Sequence, residues 1–323
     1  MAMHVTAGLR LAGRYELERQ LGRGGMGAVW LARDVSLGRA VAVKLVDSDD
    51  PAHRRAQGRL RREALAMGSL THPQVAQVYD YCETDDGAFI VMELIDGESL
   101  SVRLSREGRL SAAESVRIAA LCAEALDAAH RAGLVHRDVK PSNIMLTGDN
   151  AKVVDFGIAA SLEPTEATTA FGMFGTVAYL APERATGATA TPASDLYALG
   201  VVLYQMLAGH LPFNAEESMA MLYAHTAASP LPMPSDVPPD LVGICLDLLA
   251  KDPAARPASA FTVAARLKSA SVTTPVPYEM LWLPEPDPVG AEPDPAPARR
   301  HRRHRRHSGP SQRHYPQHSE LSV

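Results

Sequence analysis

The stretch His136-Arg137-Asp138-Val139-Lys140-Pro141-Ser142-Asn143, with Asp155-Phe156-Gly157 starting twelve residues after Asn143, constrains this chain more than any other feature. At ~5% per residue type, six specified positions at fixed spacing arise by chance about once in 10^7 to 10^8 sites. The stretch sits in a chain of 323 residues, 46% hydrophobic and 21% charged, which has the balance of a folded globular protein and excludes collagen, coiled coil and wholesale disorder. A formal net charge of −5 argues against a surface built throughout to hold nucleic acid, so any such role is local.

Upstream, Gly22-x-Gly24-Gly25-x-Gly27-x-Val29 is a weak signal alone, because a glycine cluster is also an ordinary hairpin turn. Its context is strand, loop, strand: Ala28–Ala32 continues as a strand where a dinucleotide-binding turn would open a helix. The Gly-Lys-Ser/Thr ending of a Walker loop is also missing. A lid over phosphates fits this pattern better than a Rossmann turn. Seventeen residues after Gly27, Val41-Ala-Val-Lys44 puts an ammonium inside an apolar strand, where an unpaired charge is costly. Lys44 therefore needs an anion. Glu63, on an arginine-rich helix expected over about 52–70, and the phosphates of a nucleotide are the candidates; a lysine reaching solvent from an edge strand is the plainer alternative.

Strand-like stretches at 28–32, 40–46 and 88–93 give way to helices downstream, which predicts an α+β chain with a small sheet lobe and a larger helical lobe. The lobes are expected at about 15–95 and 96–270, with the boundary near Asp96-Gly97. Ser111-Ala-Ala-Glu114 reads as a capping box opening a helix that stops at Gly133, and a second strong helix is expected over Ser194 to Leu207. Residues 271–323 hold ten prolines and few aliphatics, which predicts a disordered tail in which an acidic stretch precedes the basic block 299–306. Three scattered cysteines without a C-x-x-C pair, and no apolar run near 18 residues, predict a cytoplasmic chain with neither a disulfide framework nor a transmembrane segment.

Together these segments resemble the eukaryotic-like serine/threonine protein kinases, most closely the bacterial ones, from about Tyr15 to Leu267. The resemblance implies a two-lobed kinase fold with ATP in the cleft between lobes. Phosphoryl transfer leaves a protein little covalent work, so catalysis rests on alignment and on neutralising phosphate charge. Asp138 matches the aspartate that orients the acceptor hydroxyl and takes its proton. Asn143 and Asp155 match the ligands of Mg2+ or Mn2+, hard oxygen donors for an ion that needs few protein ligands. Lys140 resembles the lysine that steadies the γ-phosphate and, with Thr176, favours serine or threonine acceptors.

By the same resemblance Met92 is the gatekeeper of the adenine pocket, the backbones of Glu93 and Ile95 bond the base, and Leu21, Val29, Ala42 and Met145 wall it, although core packing explains these apolar residues equally well. Gly22, Gly24, Gly25, Gly27, Lys44 and Glu63 complete the nucleotide site. His136 is structural. The segment from Asp155 to Ala181-Pro-Glu183 reads as an activation segment, in which Thr168, with Thr169, is expected to be autophosphorylated and to dock on Arg137. Glu183 and Arg256 resemble an ion pair that ties this segment to the helical lobe.

The expected function is transfer of the ATP γ-phosphate to protein Ser/Thr hydroxyls and, in trans within a transient homodimer, to the chain itself. A scaffold that keeps the fold without the chemistry is the alternative, but it should break Lys44, Asp138, Asn143 or Asp155, and none is broken. For the block 299–306 a solvated tail is the plainer reading, with nucleic acid or an anionic surface as the alternative partner.

Overall fold

The computed structural model describes residues 5–24, 27–46, 61–84, 87–156, 177–215 and 217–272. The expected tail, apart from its first two residues, and the activation-segment threonines lie outside these. Six antiparallel strands form the small lobe: β1 (Arg10–Leu11), β2 (Tyr15–Gly24), β3 (Gly27–Asp34), β4 (Arg39–Val46), β5 (Val78–Thr84) and β6 (Gly87–Met92), ordered β1-β2-β3-β4-β6-β5. Side chains alternate across a strand, so β4 and β6 divide their residues between two cores. Val41, Val43, Leu45, Phe89 and Val91 join Tyr15, Leu17 and Trp30 in a core on one face of the sheet. Ala42, Lys44, Ile90 and Met92 face the other way, paired Ala42 with Met92 and Lys44 with Ile90. The helix expected over 52–70 is described at residues 61–69, labelled α1.

The β2–β3–β4 end of the sheet is closed by charge. Asp34 is fully buried, and the Arg14 guanidinium meets its two oxygens at 2.8 and 2.7 Å. The amides of Ser36 and Leu37 add to the same carboxylate, shaping the turn into β4. Bonded first of all by Arg14, the Asp34 carboxyl is held down to about 2.

The larger lobe contains α2 (Leu100–Glu107), α3 (Ala112–Arg131), α4 (Pro182–Ala185), α5 (Pro192–Ala208), α6 (Ser218–Ala227), α7 (Pro239–Leu248) and α8 (Ala260–Ser269). A small sheet joins β7 (Glu98–Ser99), just before α2, to β8 (Ile144–Thr147) and β9 (Asn150–Val153), which follow α3 in the chain. Ser111 caps α3 by accepting the Glu114 amide at 3.2 Å, but the Glu114 carboxylate bonds Arg103 at 2.9 Å instead of returning to Ser111, so only half of the expected capping box forms. Gly133, with φ +75°, follows the end of α3 in the left-handed region that glycine adopts freely. No helix among the described residues is long and apolar enough to cross a membrane.

Helix α5 is apolar nearly all round and almost wholly buried, the pattern of a helix at the centre of a lobe. It begins two residues before the expected Ser194, where Thr191 and Ser194 cap each other reciprocally. Gly200 lets α7 approach: a Cβ there would stand 2.6 Å from the Leu248 Cβ. Arg256, its side chain fully enclosed, grips both oxygens of Glu183 at 2.8 and 2.7 Å and also donates to the Ala193 and Ala250 carbonyls. This pair fastens α4 beneath α5.

Two outcomes follow for stability. Gly200→Val should destabilise the chain by about 1–3 kcal/mol through overpacking against Leu248, read in thermal denaturation as roughly 2–4 °C of Tm per kcal/mol. Arg256→Ala leaves Glu183 without its buried partner and should cost about 3–5 kcal/mol, so its Tm should fall further than that of Gly200→Val in the same scan.

Candidate active site

The sheet register builds the upper wall of the cleft. Gly22 pairs with Val29 and Val29 with Lys44, while Leu31 pairs with Ala42 and Ala42 with Met92, so these side chains share the face turned from the outer core. Ala42 and Met92 are buried, Val29 and Met145 half-buried, and Leu21 exposed at the rim. Gly25 lies outside the described residues. Between β6 and β7 the chain crosses from lobe to lobe. The Glu93 amide is committed to the Gln77 carbonyl at 2.8 Å, and its carboxylate takes both Lys152 on β9 (2.6 and 2.8 Å) and the Gln77 amide (3.2 Å). A Cβ on Gly97 would run into the Leu146 carbonyl oxygen, so a side chain at this point of the crossing has no room. No motif in the sequence marks Lys152, one of five lysines in the chain, and the tie to Glu93 is not legible there.

Below the cleft, one buried carboxylate organises the loop that leads into β8. Asp195, in the first turn of α5, accepts the His136 and Arg137 amides, each at 2.8 Å, and lies 2.8 Å from His130 Nε2. His136 is fully buried. Its Nε2 meets the Val154 carbonyl at 3.0 Å, its Nδ1 accepts the Asp138 amide at 3.2 Å, and its ring packs on Phe156 at 4.5 Å. The imidazole is thus used as a strut between the loop and the segment after β9 that carries Asp155.

On this frame Asp138 Oδ2 receives Lys140 Nζ at 2.8 Å and Asn143 Nδ2 at 3.0 Å. Asn143 Nδ2 also donates to the Asp138 carbonyl at 2.8 Å, so the amide nitrogen is spent on Asp138 and the side-chain oxygen is left for a ligand. The Val154 amide bonds the Asn143 carbonyl at 3.0 Å, which puts Asp155 next to Asn143. Two hard oxygen groups side by side suit a small divalent cation whose other ligands are phosphate and water. Arg137 (φ +69°) and Asp155 (φ +59°) both hold left-handed backbone unusual for non-glycine residues, a strain that collects where side chains must be aimed.

One expected pairing is corrected. Lys44 Nζ lies 3.0 Å from Asp155 Oδ1 and not on Glu63. Glu63 instead receives the Arg137 guanidinium at 2.8 Å, and its second oxygen is buried without a hydrogen-bond partner among the described residues. Lys44, 8% exposed in the cleft wall, takes the carboxylate that the strained backbone of Asp155 brings up to it, and Arg137 reaches across to Glu63 from its own left-handed turn. The guanidinium expected to receive a phosphothreonine is thus occupied by Glu63. Thr168, Thr169 and Thr176 lie outside the described residues.

The structure therefore brings Lys44, Asp138, Lys140, Asn143 and Asp155 to one cleft and places Glu63 on Arg137. The model of the protein kinase domain matches residues 15–267. Serine/threonine-protein kinase PknA of Mycobacterium tuberculosis is 42% identical over 260 residues, covering 79% of this chain and 60% of PknA. Serine/threonine-protein kinase PrkC of Bacillus subtilis is 40% identical over 271 residues, 82% of this chain and 42% of PrkC. The chain thus spans between two-fifths and three-fifths of the length of these relatives. A crystal structure of a mutant PknI kinase domain from Mycobacterium tuberculosis superposes with a TM-score of 0.62 at 27% identity, covering 82% of this chain and 98% of that one. With this fold, this cleft and these matches, the chain belongs to the protein kinase domain family.

Proposed function

We propose that the chain is a serine/threonine protein kinase that transfers the γ-phosphate of ATP to hydroxyls of protein substrates and to its own activation segment. The observation that carries this reading is Asp138, a carboxylate held by Lys140 at 2.8 Å and Asn143 at 3.0 Å beside the Lys44–Asp155 pair. Bound ATP with Mg2+ or Mn2+ supplies the phosphoryl group and part of the charge that stabilises its transfer. Asp138 orients the acceptor hydroxyl and takes its proton; Lys140, already on that carboxylate, neutralises charge at the point of transfer. Asn143 and Asp155 hold the cation. Lys44 steadies phosphate oxygens under the lid formed by Gly22, Gly24, Gly25 and Gly27, in the roles their match to the family suggests. The Glu93 carbonyl and the Ile95 amide offer the adenine base an acceptor and a donor, between Ala42, Met92, Leu21, Val29 and Met145.

Activation follows from the charges in the cleft. A phosphate on Thr168 or Thr169 carries up to two negative charges and competes with Glu63 for Arg137. Glu63, released, is then available to Lys44, and Asp155 to the cation. Thr176 adds the preference for serine or threonine acceptors. A cytoplasmic setting accords with three free cysteines, of which Cys122 is buried with its thiol pushed up to about 12.

Incubation with labelled ATP and Mg2+ or Mn2+ tests the reading directly. Wild type should incorporate phosphate, and Asp138→Asn should lose about 10^2- to 10^4-fold in rate. Equal incorporation by both proteins would remove Asp138 from its role, and silence of a folded, ATP-binding wild type would favour a scaffold. Mass spectrometry should find phosphate on Thr168 or Thr169, and Thr168→Ala should slow acceptor phosphorylation by about tenfold, the worth of one charge-assisted hydrogen bond; an unchanged rate would sever Thr168 from activation.

A further inference from the structure

Glu93, the first residue after β6, makes an irregular rung with the chain beside it. The antiparallel register sets Val78 opposite Met92, and so Gln77 opposite Glu93. Two residues opposed in a hydrogen-bonded rung exchange both of their N–H···O bonds. Here only one of the two joins backbone to backbone, the Glu93 amide donating to the Gln77 carbonyl at 2.8 Å. The return donor, the Gln77 amide, goes instead to Oε2 of the Glu93 side chain at 3.2 Å. Relieved of its rung partner, the Glu93 carbonyl accepts no hydrogen bond among the described residues.

The side chain that makes this substitution is itself held. One amide at 3.2 Å is a loose grip on a carboxylate that is 25% exposed; the shorter and fully charged grip is Lys152, whose Nζ stands 2.6 and 2.8 Å from the two oxygens. Strand β9 delivers that ammonium. Lys152 pairs with Met145 across the small sheet, and the next residue, Val153, bonds the Gln74 carbonyl and the Ala76 amide, so β9 is laid along the stretch that leads into Gln77. Lys152, Glu93 and Gln77 thus form one chain of contacts that ends at a vacant carbonyl on the adenine side of the cleft.

We propose that Lys152 is a positioning residue for adenine: by fixing the Glu93 carboxylate on the Gln77 amide, it keeps that amide off the Glu93 carbonyl and leaves the carbonyl to accept the 6-amino group of the base. This rests on the reading of the cleft as an ATP site. Lys152 acts through Glu93 and Gln77 and not on the reacting atoms. Without its ammonium the carboxylate turns to water, the Gln77 amide closes the rung on the Glu93 carbonyl, and the base loses its acceptor.

Titration calorimetry on the full chain with Mg2+ tests this with two nucleotides, ATP and purine riboside triphosphate, which has hydrogen in place of the 6-amino group. Lys152→Met keeps the length of the side chain without the donor. Expected are a Kd for ATP raised about fivefold, the worth of one ordinary hydrogen bond, and a Kd for purine riboside triphosphate within twofold of wild type. Lys152→Arg, which restores a charged donor, should stay within twofold for both nucleotides. Glu93→Met combined with Lys152→Met leaves no carboxylate unpaired and still frees the Gln77 amide, so it should weaken ATP as the single variant does, and it stands in for that variant should the latter fail to fold. The proposal is overturned if ATP binds both methionine variants within twofold of wild type, if the two nucleotides weaken equally, or if Lys152→Arg is as weak as Lys152→Met. A wild type that binds ATP and transfers no phosphate would strike the kinase reading alone, with Lys152 still judged by the Kd values; a wild type that binds no ATP would strike both.

Discussion

The cleft depends on a single buried carboxylate. Asp195, 1% exposed at the start of α5, spends its two oxygens on the backbone of His136 and Arg137 and on the His130 ring. A buried anion is tolerable only when its lone pairs are met, and here two amides and an imidazole meet them, with the positive end of a helix dipole added. The loop that carries Asp138, Lys140 and Asn143 is therefore referenced to the least mobile kind of element in the fold, an almost wholly buried helix. Without that reference the left-handed backbone of Arg137 would lose the bond that holds its amide.

Above this fixed floor the charges are exchangeable. Four ionic groups, Lys44, Glu63, Arg137 and Asp155, form two pairs at 3.0 and 2.8 Å, and each group has a second partner in reach of chemistry: phosphate for the cations, a metal ion or the opposite lysine for the anions. Pairs of like strength can trade partners at small net cost, whereas the Asp195 bonds cannot, because no other donor among the described residues satisfies that carboxylate. The site thus combines a rigid lower half with an upper half whose ion pairs have alternatives, and Glu63 sits on a helix at the boundary.

Much of this was legible in the residues. The motif from His136 to Asn143 with Asp155 located the floor, and apolar alternation located β3, β4 and β6 to within a residue or two, because half-buried strands must alternate. The short β1, the long β2 with its register shifts and β5 were not marked: β2 carries Glu16, Glu18, Arg19, Gln20 and Arg23 and has too few apolar residues to announce itself. Pairing was the less legible property. The sequence shows that Lys44 requires an anion but not which of two carboxylates, since the choice turns on backbone angles at Arg137 and Asp155. The capping box at Ser111 shows the same limit: Glu114 had the right spacing, but Arg103 from α2 offered its carboxylate a charged donor.

The tie between Glu93 and Lys152 has a mechanical consequence. It stands close to two backbone bonds that join the lobes at the same strand, Ala76 amide to Val153 carbonyl at 3.0 Å and Val153 amide to Gln74 carbonyl at 2.8 Å. Three fastenings on β9 make a pivot, so the lobes open by rotation and not by drawing apart. The paired Gly24 and Gly27, where β2 and β3 end, lie four residues along β3 from the rung of Ala42 and Met92, about 13 Å of strand. Like a door's handle, that pair travels furthest for a given swing, while the stretch around Glu93, next to the jamb, hardly moves.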